Sequence, residues 1–408
     1  MSSNDNQWVD NGDEEADYQV IAEGIASTVL RTLATFDDGE PQLVVVKTST
    51  TIKKFAKEPH DIVKEARILK DLKHRNVVTI LDVDNDIKEG SLSIWMYYIS
   101  FSLGQLLDSP RLVPSVYPPN STSSETYCRT RFEVVSRSIM RQLFSAITYI
   151  HDQNVAHRDI KPSNVLFTKT GCVYLIDFGI AWREGETEND KKADLWPEYR
   201  DDGKGMYFEV STGPYRAPEL IFGTRSYNPF AIDRWSLGCT LAEFFTPLTR
   251  DDNDDDERDY SYSSFRSTSS CTGYLRKSLF DGTRGEIGLA WSIFKLLGTP
   301  NETTWPGFKD LPDAERVEFA VAEPQPLTSS LPMSVPSVVD IIKRLLSYPP
   351  EQRLEAKLAL EHQWFGQFPT LVPEDYPLDP GEDDRIVVIE DVRRTLGQLL
   401  ADMCTEGG

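Results

Sequence analysis

The stretch His157-Arg158-Asp159-Ile160-Lys161-Pro162-Ser163-Asn164, followed thirteen residues after Asn164 by Asp177-Phe178-Gly179, constrains this chain more than any other. It sets two acids, two cations and an amide between the apolar runs Val165-Leu166-Phe167 and Val173-Tyr174-Leu175-Ile176, which read as short buried strands. Polar groups gathered between buried strands suit a place that holds polyanions and metal. Asp159 is placed to accept a proton from a substrate hydroxyl, Asn164 and Asp177 offer hard oxygens to Mg²⁺, and Lys161 can neutralise a phosphoryl group in flight. These are the parts that phosphoryl transfer needs.

The same residues resemble the catalytic loop and the metal-binding Asp-Phe-Gly of eukaryotic protein kinases. The resemblance implies an α+β fold of two lobes: a small β-rich N-lobe with one key helix (about 18–99) and a larger, mainly helical C-lobe (about 100–365). It further implies ATP between the lobes, Mg²⁺ bridging its γ-phosphate, and a protein as phosphate acceptor. In that reading Asp159 orients the acceptor hydroxyl, Lys161 stabilises charge on the transferring group, and Asn164 and Asp177 hold the metal. Lys161, where receptor-type tyrosine kinases usually carry Ala or Arg, favours transfer to Ser or Thr.

A chain of 408 residues with 39% hydrophobic and 11% aromatic side chains can bury the core that two lobes require. Its formal net charge of -22 argues against nucleic acid and anionic membranes as partners, since both demand a basic surface. Met1 to Asp17 reads as an acidic tail rather than a leader, and no run of about 18 apolar residues occurs. A soluble protein of the cytoplasm or nucleus is expected. The five cysteines (Cys128, Cys172, Cys239, Cys271, Cys404) lack CxxC spacing, and their odd number suits reduced thiols.

In the N-terminal part Leu43-Val44-Val45-Val46 is the most strand-like run, and Lys47 closes it. With a period of two, Lys47 shares a face with Leu43 and Val45, so its ammonium must snorkel out or find an anion. Between Asp61 and Leu72 the residues Ile62, Glu65, Leu69 and Leu72 fall on one helical face, the carboxylate in the middle. A lone carboxylate there is costly, and a strand-end lysine is its natural partner. The resemblance implies that same pair, which orients the α- and β-phosphates of ATP.

The glycine loop is less complete. Ala22-Glu23-Gly24-Ile25-Ala26-Ser27-Thr28-Val29 keeps Gly24 and Val29 of the G-x-G-x-x-G-x-V pattern, with Ala22 and Ser27 where glycines are usual. Small residues still let backbone N–H groups approach phosphates, while two Cβ atoms restrict φ. Leu92-Ser93-Ile94-Trp95-Met96 alternates like a strand and, by resemblance, leads to an adenine-binding hinge at Tyr97-Tyr98-Ile99 with Met96 as gatekeeper; Leu166 joins these cofactor-binding positions.

Residues from about 109 to 130 read as a Pro-, Ser- and Thr-rich loop before a helix from Phe132 to Asp152. After Gly179 a charged insert, about 183–204, precedes Ser211-Thr212-Gly213-Pro214-Tyr215-Arg216-Ala217-Pro218-Glu219, giving a long activation segment. By resemblance Thr212 bridges Asp159 and Lys161, Glu219 pairs with Arg353, and Asp233 holds the backbone of the catalytic loop. In cyclin-dependent kinases the position of Tyr207 is a threonine whose phosphate sits among three arginines. Here those positions are Arg158, Lys64 and Trp182. Lys binds such a phosphate less well than a bidentate Arg, and Trp does not bind it. The expectation is a segment ordered without phosphate, through acids of the insert packing on the lobe or on Lys64 and Arg158, with phosphorylation of Tyr207 as the competing route.

An Asp- and Ser-rich insert from Thr249 to about Thr272 reads as a solvated loop, with a docking element as the alternative. Leu279-Phe280-Asp281-Gly282, Leu296-Leu297-Gly298-Thr299-Pro300-Asn301-Glu302 and Trp305-Pro306-Gly307 resemble the branch that contains cyclin-dependent and mitogen-activated kinases. Beyond Phe365 an extension (366–408) presents Ile389, Val392, Leu396, Leu399 and Met403 as an amphipathic helix that docks in cis or, less readily, on a partner.

Two enzyme roles compete: a cyclin-dependent kinase with its own activating subunit, or a kinase acting on the activation loops of cyclin-dependent kinases, as the single-subunit fungal activating kinases do. The second is favoured. Lys57-Glu58-Pro59-His60-Asp61-Ile62-Val63-Lys64-Glu65 preserves the glutamate of a cyclin-binding helix and little else, so a monomer is expected, with the need for a cyclin left open. Pro214, preceded by Gly213, replaces the Trp usual in this branch, which predicts little preference for Pro after the target residue. A pseudokinase scaffold is the reading from another class, motivated by the altered glycine loop.

Overall fold

The computed structural model describes residues 18–24, 26–36, 39–116, 124–198, 205–250, 273–376 and 385–404. The acidic tail, Ile25, residues 199–204 of the first insert, and the acid run Asp254-Asp255-Asp256-Glu257 with Cys271 lie outside them. Two compact units are present, one formed by the chain up to Ala56 together with Ile80–Tyr98, the other by Lys57–Thr79 and everything from Ile99 onward. Among the described residues no helix is long and apolar enough to cross a membrane.

Alternating β-branched and aromatic residues build the first unit as an antiparallel sheet. Its strands are β1 (Gln19–Glu23), β2 (Thr28–Ala34), β3 (Gln42–Thr50), β4 (Ile80–Asp86) and β5 (Ser91–Tyr97), in the order β1-β2-β3-β5-β4. On β3 Val44 and Val46 are buried while Leu43 is exposed and Val45 half-buried. Lys47 therefore lies on the less buried face of β3, as its period predicts. Register places it opposite Val29 of β2 and Ile94 of β5, and directly opposed residues share a face.

The second unit opens with α1 (Ile62–Asp71), started by Asp61, whose Oδ1 accepts the amides of Val63 and Lys64 at 3.0 Å each. Ile62, Glu65, Leu69 and Leu72 are all buried, as their spacing predicts. Although expected to go with the small lobe, α1 packs with residues of the second unit: the Asp61 amide donates to the Gly179 carbonyl and the Phe178 amide to Glu65 Oε1.

Next come β6 (Phe101–Ser102), α2 (Leu103–Leu107) and α3 (Glu125–Asp152). α3 begins seven residues before Phe132, because Ser124 caps the Tyr127 amide and Cys128 is buried despite the polar composition around it. Tertiary packing here overrides local propensity. β7 (Val155–Ala156), β8 (Val165–Phe167), β9 (Val173–Leu175) and β10 (Trp182–Arg183) follow; β6, β8 and β9 form one small sheet, β7 and β10 another. The short helix α4 (Pro218–Ile221) and α5 (Pro229–Glu243) come next, α5 capped by Asn228 and almost wholly buried.

The second insert leaves and returns through a ladder of β11 (Leu248–Arg250) and β12 (Tyr274–Arg276). Arg276, fully buried, closes it by donating to the carbonyls of Leu107, Leu112 and Thr246.

The expected tail helix is only partly a helix. Ile389 and Val392 belong to a hairpin, Val387–Ile389 with Val392–Arg394, whose two turn residues Glu390 and Asp391 have φ of 50° and 63°. That two-residue turn, with both φ positive, matches strand twist and interrupts the helical period. The helix is Leu396–Cys404, and it docks in cis: Leu396, Leu399, Leu400 and Met403 are buried, Tyr127 Oη donates to Asp402 at 2.6 Å, and Ser109 Oγ to the Met403 carbonyl at 2.7 Å.

Candidate active site

The loop between β7 and β8 is held from below. Asp233, fully buried in α5, accepts the amides of His157 at 2.8 Å and Arg158 at 2.7 Å, and His151 Nε2 at 2.9 Å. Those bonds support a costly backbone, since Arg158 has φ of 65°, a region that a non-glycine residue enters only when its surroundings over-determine it. Asp177 has the same φ of 65°.

Four predicted residues converge above this support. Thr212 Oγ1 donates to Asp159 Oδ1 at 2.6 Å, Lys161 Nζ donates to Thr212 Oγ1 at 2.8 Å and stands 2.8 Å from Asp159 Oδ2, and Asn164 Nδ2 donates to that same Oδ2 at 3.1 Å. Asp159 is thereby fixed in orientation by three groups. The Ile176 amide donates to the Asn164 carbonyl at 3.0 Å, which brings Asn164 beside the residue preceding Asp177.

Phe178 is buried against His157, ring centroids 4.7 Å apart, and orders the turn that carries Asp177. At Gly179 a Cβ would stand 3.3 Å from Asp177 Oδ1 and 3.4 Å from Glu65 Oε2, so the close approach of these two acids to the backbone suits glycine. Among the described residues no cluster of three or more His, Cys, Asp or Glu forms a closed metal cage. One carboxylate and one amide oxygen, Asp177 and Asn164, instead fit Mg²⁺, which keeps several waters and is shared with substrate phosphates.

The predicted residues of the first unit fall on adjacent strands. Ala22 lies in β1 and Val29 in β2; between them the Gly24 amide donates to the Ser27 carbonyl at 2.8 Å, closing a tight turn. Met96 is buried in β5, Tyr97 is exposed at its end, and the Tyr98 amide donates to the Leu43 carbonyl at 3.1 Å. In the second unit Ile99 follows without regular structure, and Leu166 sits in β8 opposite Ser102 and Tyr174.

Acids of the first insert pack on Lys64, on Arg158 and on α1, as expected for a segment ordered without phosphate; which acids do so was not legible in the sequence. Arg67 of α1 donates to Asp194 through Nε at 3.0 Å and Nη2 at 2.7 Å, and also bonds Glu186. Arg183 reaches Asp71 at 2.6 Å, and the Trp196 amide donates to Asp61 Oδ2 at 2.9 Å. Glu198 accepts Arg158 Nη1 at 2.9 Å and Nη2 at 2.6 Å. The only signal in the sequence was a surplus of acids in the insert. At the far end of the segment Glu219 and Arg353 meet as expected.

A family model described as protein kinase domain matches residues 16–365. The chain is 30% identical over 348 residues to cell division control protein 2 homolog 3 of Trypanosoma brucei brucei, covering 85% of this chain and 90% of that protein. It is 28% identical over 352 residues to cyclin-dependent kinase 2 of Caenorhabditis elegans, with 85% and 77% covered. Against cyclin-dependent kinase 20 of Pongo abelii it is 30% identical over 246 residues, with 59% and 57% covered.

Proposed function

Because the chain belongs to the eukaryotic protein kinases, in the serine/threonine branch of the cyclin-dependent kinases, we propose that it works as a single subunit and phosphorylates the activation segments of cyclin-dependent kinases. The observation that carries this reading is the occupation of α1 by the chain's own insert. Asp61, Arg67 and Asp71 are taken by Trp196, by Glu186 and Asp194, and by Arg183. A helix of this kind is where a cyclin-dependent kinase receives its cyclin, and here these three polar positions are already bonded. A kinase so built does not wait for a cyclin, which suits an enzyme acting upstream of cyclin-dependent partners.

In the reaction Asp159, oriented by Thr212, Lys161 and Asn164, aligns the Ser or Thr hydroxyl and takes its proton. Lys161 then stabilises the charge developing on the transferred group. Asn164 and Asp177 would hold Mg²⁺, which would supply positive charge against the ATP phosphates. In the first unit Lys47 would meet those phosphates, the backbone about Ala22, Gly24 and Ser27 would cover them, and Val29, Met96, Tyr97 and Tyr98 would receive the adenine. Pro214 within the short turn Gly213–Tyr215 supports a target site without a following Pro.

Purified protein should transfer phosphate from Mg-ATP to a panel of cyclin-dependent kinases with unphosphorylated loops, without added cyclin, and Asp159→Asn should abolish it. A peptide profile dominated by Ser-Pro and Thr-Pro, or activity that appears only with a cyclin, would contradict the proposed role. An inert protein that still captures a partner would instead favour a scaffold.

A further inference from the structure

Glu198 sits where the activation segment, α1 and the catalytic loop meet. Its carboxylate accepts both terminal nitrogens of Arg158, lies 3.5 Å from Lys64 Nζ, and accepts the Tyr207 amide at 2.9 Å. Its carbonyl accepts Lys191 Nζ at 2.5 Å. Tyr227 Oη, bonded to Arg158 Nη1, also donates to the Tyr207 carbonyl at 2.5 Å. Both Glu198 and Arg158 are buried, so this is a desolvated, bidentate pair of the kind that carries geometric specificity.

We propose that Glu198 is the positioning residue that orders this activation segment, a built-in carboxylate doing work that does not require phosphorylation of the segment. The inference deepens the regulation of the proposed kinase site and rests on that reading. Arg158 immediately precedes Asp159, and Ser211 Oγ donates to the Arg158 carbonyl at 2.7 Å, so a segment anchored at Glu198 and Tyr207 also fixes Thr212 against Asp159. The Tyr207 hydroxyl bonds Glu58, another acid, which would repel a phosphate added there.

The test uses full-length protein purified from bacteria and shown by mass spectrometry to be unphosphorylated. Wild type and Tyr207→Phe should have kcat within about twofold of each other, well inside the tenfold that 1.4 kcal/mol represents. Glu198→Gln should lower kcat by about tenfold or more while leaving KM for ATP unchanged, a split that general destabilisation does not produce. A Glu198→Gln enzyme with wild-type kcat, or a wild type that is inert until its segment is phosphorylated, overturns the inference. Should the Gln variant fail to fold, hydrogen exchange on wild type decides: the Tyr207 amide exchanges slowly if Glu198 anchors it, and as fast as an open chain if not. An ordered segment in a protein that transfers no phosphate, phosphorylated or not, would overturn the kinase reading instead.

Discussion

Arg353 grips Glu219 with two parallel hydrogen bonds of 2.7 Å each, and every other donor direction of its guanidinium is filled by the carbonyls of Ser347, Tyr348 and Ala231. The Trp235 ring lies 5.0 Å from its centre. Both partners are buried, so the pair ties the end of the activation segment to the body of the second unit.

Breaking that pair leaves an uncompensated buried charge. Glu219→Gln should cost about 3–5 kcal/mol of stability, because the Coulombic partner is lost while the desolvation of Arg353 remains. Urea unfolding of the variant checks this; a loss below about 1 kcal/mol would place the pair with ordinary surface bridges.

Lys47→Met should act on the reaction. Phosphotransfer by the folded variant should fall to near background, since a charge aimed at phosphates is not replaced by a thioether. A folded variant with most of its activity would remove Lys47 from the site.

The acid dependence of stability should identify Glu198. It faces Arg158, Lys64, Lys191, the amide of Tyr207 and, through Arg158, the hydroxyl of Tyr227. Burial by itself would raise its carboxyl, but the charge and hydrogen bonds of Arg158, with Lys64 and the Tyr207 amide, hold it down at about 2 against an ordinary 4.5. Folded protein therefore binds fewer protons here than unfolded. The stabilisation, about 3 kcal/mol, is complete above the ordinary value and drains away as pH falls from about 4.5 to 2. Urea unfolding of wild type and Glu198→Gln should differ by a constant amount from pH 5 to 8 and converge below that range. A phosphate, titrating near pH 6, would change the difference within it.

Gly397 tests the docked tail. A Cβ there would stand 2.8 Å from the Lys169 carbonyl oxygen and 3.1 Å from Thr170 Cα, both backbone atoms of the turn after β8. Ala would gain up to about 1 kcal/mol of helix propensity, yet the clash should win and Gly397→Ala should destabilise by about 1–3 kcal/mol. Phosphotransfer should be unaffected, because the described contacts of the tail helix lie on α3, on Ser109 and Arg111 before it, and on this turn, and not on the catalytic loop. Thermal melting and a phosphotransfer assay on the same preparation check both halves.

Local chemistry alone determined much of this protein. Residues 157–164 and 177–179 announce their chemistry because phosphoryl transfer needs those groups at close spacing, and the four-residue stripe of α1 announces its buried glutamate because a helix repeats every 3.6 residues. Asp233, Thr212 and the Glu219–Arg353 pair were legible for the same reason, through short stretches that resemble a known family. Tertiary structure decided what had no period or motif. The hairpin at Glu390-Asp391 broke an amphipathic pattern that a helix could equally have used, since spacing cannot report a backbone of positive φ. Nothing in the order of residues singled Glu198 out from the other acids of its insert, because a carboxylate becomes an anchor only when folding brings Arg158, Lys64 and the Tyr207 amide around it from three distant parts of the chain.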